Sequence, residues 1–228
     1  MALDTLEPKT PERFKGLLDL GFSTNAEGKT RLTRRMRSGL FHLSKEYLDG
    51  EQLVVQVLNP TAGIFEGDVL ESRVNVGAGA NVCLLSPSSN QVYSMPDGGE
   101  GISRQRFMIE ENGALTVLPK WTVLHQGARF RQETVIHLEK GARLFFVEML
   151  SAGRKHHGEF LEYESYESSL AIYREGILSF KEIVRSGKEW NCWIWKGREG
   201  HFAYIVTLYL SMASLGDQLT ERFVEMER

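Results

Sequence analysis

The chain has 228 residues and a mass of 25.9 kDa, enough for one large domain or two small ones. With 42% hydrophobic and 25% charged residues, it is neither a disordered chain nor a collagen-like repeat. A net charge of −3 and a pI of about 6.1 speak against nucleic acid as the main partner, because phosphate binding needs a basic face.

Residues 1–15 carry Pro8 and Pro11 among charges and lack the apolar core of a signal peptide, so a flexible N-terminal tail is expected there. Gly28-Lys29-Thr30 resembles the end of a phosphate-binding loop, but Ser23 stands where that loop needs its first glycine. A hairpin glycine followed by a strand is the better reading. Lys29, Arg31, Arg34, Arg35 and Arg37 form a basic cluster, with Arg31, Arg35 and Arg37 expected on one strand face. Such a cluster suits a sheet edge blocked by charge, or a surface for an acidic partner.

From there on the chain breaks into short apolar or alternating runs bounded by Gly, Asn or Asp. Residues 53–58, 69–76, 81–85, 102–109, 114–118, 129–138, 143–150, 170–173 and 177–184 read as strands. The connections are too short for crossover helices, which excludes a doubly wound α/β sheet. A faint repeat of strand, small or acidic turn and glycine recurs at Gly79, Gly113, Gly141 and Gly176. Its spacings of 34, 28 and 35 residues suit stacked β-layers better than a strict solenoid. In each copy the glycine is expected to supply the positive φ.

The strongest apolar run, 203–210, is far shorter than the roughly 20 residues a membrane span needs. Near the C-terminus Leu215, Leu219, Phe223 and Met226 share one helical face, with Asp217 as the expected cap. The fold class expected is therefore mainly β, with one or two helices near the C-terminus and a single β-rich domain over residues 16–228. Cys83 and Cys192 have no metal-site spacing and suit a reducing, cytoplasmic setting.

No catalytic constellation stands out. There is no GxSxG elbow, HExxH or HxH, and the adjacent His156 and His157 would point to opposite faces of a strand. The carboxylate pairs Glu110/Glu111 and Glu162/Glu164 leave open a carboxylate-dependent β-helical enzyme acting on carbohydrate. A solvated turn or an outward strand face explains the same pairs more simply.

Several stretches together resemble one family. Gly28-Lys29-Thr30-Arg31-Leu32, the run Asn59-Pro60 through Gly63-Ile64 to Gly67-Asp68 and Leu70, and Gly79-Ala80 follow in order. Ser86-Pro87, Val92-Tyr93, Gly113-Ala114-Leu115, Leu118-Pro119, Gly127-Ala128-Arg129 and Gly141-Ala142-Arg143-Leu144 come next, with Glu148 and Gly153-Arg154 closing the match. In this order and at these separations they resemble the urease accessory proteins UreD, also called UreH. Ala62 and Glu66 stand where that family usually has glycine, and Gln91 where it usually has lysine. The C-terminal part is shorter than the family pattern.

The resemblance implies a β-helix-like stack and a chaperone role without turnover. Such a protein bridges apo-urease to UreF and the nickel GTPase UreG, and guides Ni²⁺ through an internal polar passage without a stably bound cofactor. On that reading Asp68, Glu148 and Glu66 are the candidate groups for transient nickel contact. Ser86, Ser88 and Tyr93 are candidates for lining or packing the passage. Alternation puts Glu148 with Phe146 and Leu150 on an inward face, where a carboxylate needs a partner such as Arg154. Nucleic acid and membrane are not expected as partners.

Overall fold

A computed structural model describes residues 15–39, 41–188 and 204–212. The described chain is a β-solenoid of about four turns, made of sixteen strands and one short 3-10 turn at Lys155–His157. The C-terminal helix expected around Leu215–Met226 lies outside the described residues. So does the expected tail, apart from Lys15.

One wall is a seven-stranded sheet. Its middle is five parallel strands: β1 (Lys15–Thr24), β6 (Val69–Val76), β9 (Gly101–Ile109), β12 (Arg129–Leu138) and β14 (Ser165–Arg174). Antiparallel strands close both edges, β2 (Thr30–Ser38) beside β1 and β15 (Ile177–Gly187) beside β14. The other wall has nine strands, with β5 (Gln52–Leu58), β7 (Asn81–Leu85), β10 (Ala114–Leu118) and β13 (Arg143–Ser151) in parallel order. No crossover helix is needed between parallel neighbours, because the chain crosses through a strand of the opposite wall each time.

The smaller strands complete the second wall. β3 (His42–Leu43) and β4 (Tyr47–Asp49) pair with β5, while β8 (Asn90–Val92) and β11 (Thr122–Leu124) continue the coils of β7 and β10. β13 runs unbroken past both, pairing β10 at its start and β11 at its end. The apolar run near 203–210 becomes β16 (Tyr204–Ser211), antiparallel to β13.

The repeat read from sequence is real but slipped at one copy. The strand register aligns Asn81, Ala114 and Arg143, so Ala80, Gly113 and Ala142 are equivalent and the turn corner falls at Gly79, Asn112 and Gly141. Asn112 takes the left-handed conformation there, with φ 55°, close to φ 68° and 69° at the two glycines. Asparagine tolerates this region better than most residues. Gly113 instead fills the slot of a buried alanine, where an added Cβ would sit 3.0 Å from the Glu110 carbonyl oxygen.

The fourth copy is not a coil turn. Arg174 pairs with Ile177 across Glu175-Gly176, both with positive φ, forming a two-residue hairpin that ends the parallel stack.

Gly28 is the hairpin glycine expected between β1 and β2, with φ 76°. β2 is an edge strand, as its charges suggest. A register shift at Gly21/Phe22 breaks its alternation, however. Arg35 and Arg37 lie opposite Leu20 and Leu18, whereas Arg31 lies opposite Ser23, so the three arginines do not share a face.

Candidate functional site

The interior is not uniformly apolar. One core cluster gathers Leu20, Val74, Phe107, Ile136 and Phe146; a second gathers Leu70, Leu124, Phe130, Leu150 and Tyr166. Between them four of the five central strands of the first wall turn polar at inward positions, while β1 stays apolar there with Leu18, Leu20 and Phe22. On β12 the inward sequence is Phe130, Gln132, Thr134, Ile136; on β14 it is Tyr166, Ser168, Leu170. β6 contributes Ser72, and β9 contributes Ser103 and Gln105.

Register joins these residues across the strands. Ser103, Gln132 and Ser168 lie side by side, as do Ser72, Gln105 and Thr134. The two rows form a polar belt that crosses successive coils along the solenoid. Such a belt costs stability wherever a buried polar atom lacks a partner. Thr134 is an example: its hydroxyl is buried with no hydrogen-bond partner.

Both walls supply charge, Glu148 from the second and Glu182 on β15 from the first. Glu148 on β13 faces inward between Phe146 and Leu150, as alternation requires. The partner expected for it is different: Arg154 pairs with Glu159, while Gln132 Nε2 donates to Glu148 Oε1 at 2.5 Å. Burial pushes the Glu148 carboxyl up to about 7, against the Gln132 hydrogen bond, and the nearby Glu182 adds to the rise. Tyr209 on β16 donates its phenol proton to Glu182 on β15. Burial, followed by that hydrogen bond, raises the Tyr209 phenol above its usual range.

A space of about 370 Å³ lies along this belt. Its wall includes Ser72, Ser103, Gln105, Gln132, Glu148 and Glu182. β7 and β8 are separated at residues 86–89, and β10 and β11 at 119–121. These breaks bring Ser86, Ser88 and Lys120 to the same wall. Backbone pairing holds the broken coils in step, with the Ser86 amide on the Leu118 carbonyl at 3.0 Å and the Asn90 amide on the Trp121 carbonyl at 2.9 Å.

The remaining sequence candidates gather elsewhere. Asp68 is buried, and its carboxylate accepts the Phe65 amide at 2.9 Å, closing the turn that leads into β6. Burial raises its pKa and this amide opposes the rise. Glu66 accepts the amides of Asp97 and Gly99, tying two loops together. Tyr93 stacks on Phe65 with ring centres 4.7 Å apart and meets the His125 ring edge-on at 4.5 Å. His125 shares a hydrogen bond with Gln91 at 2.8 Å; burial first, then Arg154, lowers its pKa.

The structure thus brings Glu148, Ser86 and Ser88 to one space and places Asp68, Glu66 and Tyr93 in the loops at one corner of the coils, where the chain returns to the first wall. Among the described residues no group of three or more His, Cys, Asp or Glu side chains is arranged to hold a metal ion. Gln132, Gln105, Ser103, Ser168 and Glu182 were not singled out from the sequence. Their signal was a polar residue at an inward strand position, visible only once the strand faces are assigned.

Of the carboxylate pairs considered for enzyme chemistry, one member of each has a structural partner. Glu110 accepts the Ala78 amide at 3.1 Å, and Glu164 is engaged by Lys188 and Arg129. No described helix is long and apolar enough to cross a membrane.

Comparison with known proteins is direct. The family model described as UreD urease accessory protein matches residues 15–223. Urease accessory protein UreD of Opitutus terrae is 40% identical over 179 residues, covering 77% of this chain and 65% of the relative. UreD of Deinococcus radiodurans is 31% identical over 175 residues, covering 75% of this chain and 63% of the relative. UreH of Helicobacter hepaticus is 26% identical over 168 residues. The chain therefore spans somewhat under two thirds of the length of the first two relatives. With the β-solenoid and the family match over nearly its whole length, the chain belongs to the UreD urease accessory protein family.

Proposed function

We propose that this protein is a non-catalytic urease maturation chaperone that bridges apo-urease to UreF-like and UreG-like partners and guides Ni²⁺ toward the urease active site through its interior. Family membership supports the maturation role. The observation that carries the finer reading is the polar belt with Glu148 at its centre, running between two apolar clusters. A simple structural core has no use for such a belt, since each buried polar group costs stability unless paired.

The chemistry suits transit better than storage. Hydroxyl and amide oxygens hold a divalent ion weakly, so it can enter and leave, whereas a ring of thiolates or imidazoles would trap it. Glu148, with its carboxyl near neutrality, offers negative charge at one point along the path. Gln132 holds that carboxylate in place. Asp68 and Glu66 sit at the coil corner before β6, where they add negative charge beside the turn into that strand.

The surface supports work in a complex. On β16, Tyr204, Val206, Leu208 and Leu210 are 43–56% exposed, and Ile177 and Leu178 of β15 are exposed at the closing hairpin. Exposed apolar rows of this kind mark protein interaction surfaces.

The test is genetic and quantitative. Urease is purified from a strain lacking this gene and from the same strain with it restored, and nickel per active site is measured. Restoration should raise both nickel content and activity. Fully loaded urease without the gene would refute the role.

A further inference from the structure

The donors that face the interior space are of one chemical kind. Ser103, Gln105, Gln132, Glu148, Ser168 and Glu182 present hydroxyl, amide and carboxylate groups. Among the described residues neither histidine nor cysteine lines the space. His125 is engaged by Gln91 in the corner loops, and His137 stacks on Tyr173. Cys83 lies on the opposite strand face from Val82 and Leu84, which join the core. The one sulfur in the wall is the Met149 thioether, a weak, soft ligand.

Charge in the wall favours a cation without specifying which. Two carboxylates, Glu148 and Glu182, face the space from opposite walls, against a single exposed ammonium, Lys120. The volume of about 370 Å³ leaves room for on the order of ten waters. An ion can therefore keep most of its hydration shell while inside. Imidazole and thiolate separate nickel, copper and zinc from harder ions; carboxylate, carbonyl and water suit manganese and magnesium as well.

We infer that the interior passage admits divalent first-row cations as a class, Mn²⁺ and Co²⁺ alongside Ni²⁺, and does not itself select nickel. The inference rests on reading the belt as a passage. Its consequence is that the choice of metal lies with whatever hands the ion to this protein, and that the oxygen-lined interior only transmits it.

The test uses each metal alone. The full chain is dialysed to equilibrium against MnCl₂, CoCl₂ and NiCl₂ separately, beside the double variant Glu148→Gln/Glu182→Gln. The two amides preserve shape and hydrogen-bonding capacity, and a thermal melt checks that the variant is folded. The binding lost in the variant is the interior component, free of surface carboxylates.

That component should have affinities for the three ions within about thirtyfold of one another. A nickel preference beyond that range overturns the inference while leaving the passage standing. If a folded double variant loses no binding for any ion, the passage reading fails and the inference fails with it.

Discussion

Gln132 and Glu148 meet across the interior from opposite walls of the solenoid, with Gln132 Nε2 2.5 Å from Glu148 Oε1. They are 16 residues apart in sequence, on consecutive strands of one coil. The hydrogen bond is one direct polar link between the two walls, beside that of Tyr209 to Glu182. It holds a carboxylate where burial would otherwise expel its charge.

The pH dependence of stability follows from that burial. The folded state holds the Glu148 proton up to about pH 7, against an ordinary value of 4.5. A raised carboxyl pKa means that the folded state binds more protons than the unfolded chain between these values. Stability should therefore be highest below pH 4.5 as far as this group is concerned, and should fall as pH rises to about 7. Glu148→Gln removes this loss. Its melting temperature should exceed the wild type's at pH 8, by the equivalent of up to about 3 kcal/mol, and the difference should shrink toward pH 5. Melting curves of both proteins from pH 5 to 8 decide it; an equal or lower variant melt at pH 8 refutes it.

Thr134→Val should stabilise the fold. The Thr134 hydroxyl is buried and unpartnered, and valine keeps the shape without the polar atom. The expected gain is about 1 kcal/mol, measured by chemical denaturation. A loss of stability would mean that the hydroxyl has a partner in solution, such as a bound water.

The corner at Gly141 should be intolerant of a side chain. Its φ is 69°, and an added Cβ would collide with the Asn112 side-chain oxygen at the corner of the preceding coil. Gly28, with φ 76°, has nothing within 4 Å of the same position. Gly28→Ala should then cost about 1 kcal/mol through backbone strain alone. Gly141→Ala should cost distinctly more, and equal costs in denaturant titration would show that the collision is relieved freely.

Asp68→Ala separates two roles. The carboxylate closes the Phe65–Asp68 turn, so its loss should lower stability by about 1–2 kcal/mol by leaving a part-buried amide without its acceptor. If the turn is its whole contribution, urease matured with the folded variant should carry wild-type nickel. Nickel loss at unchanged stability would place Asp68 on the ion's route.

Much of the architecture was legible because the strands obey simple rules. The runs at 69–76, 81–85, 114–118 and 129–138 coincide with β6, β7, β10 and β12, since alternation and Gly-rich turns mark both face and boundary. β14 is longer than its apolar piece at 170–173 because its first half, Ser165–Ser169, is polar at every position but Tyr166. β1 and β16 escaped notice for different reasons: β1 adjoins the charged tail, and β16 reads as an undivided apolar run. The repeat slips at Asn112–Gly113 because the sequence marks glycine as the corner, while Asn112 holds the positive φ.

The site was legible in part for the same reason. Glu148 betrayed itself as a lone acid among Phe146, Leu150 and their neighbours. Gln132, Gln105 and Glu182 lie in strands whose outward positions are also polar, so their inward orientation carried no local signal. Which residues align across coils depends on register, and short, irregular turns leave register undetermined by sequence.

The most direct test of the passage is to fill it while leaving the surface untouched. Ser103→Leu/Ser168→Leu replaces two inward hydroxyl residues flanking Gln132 in one row. The double variant should fold and should match the wild type in any co-purification with the proposed urease components. Urease matured with it should carry as little nickel as urease from the strain lacking the gene. Full nickel loading with the filled interior would contradict the account, and the ion would have to reach urease by another route.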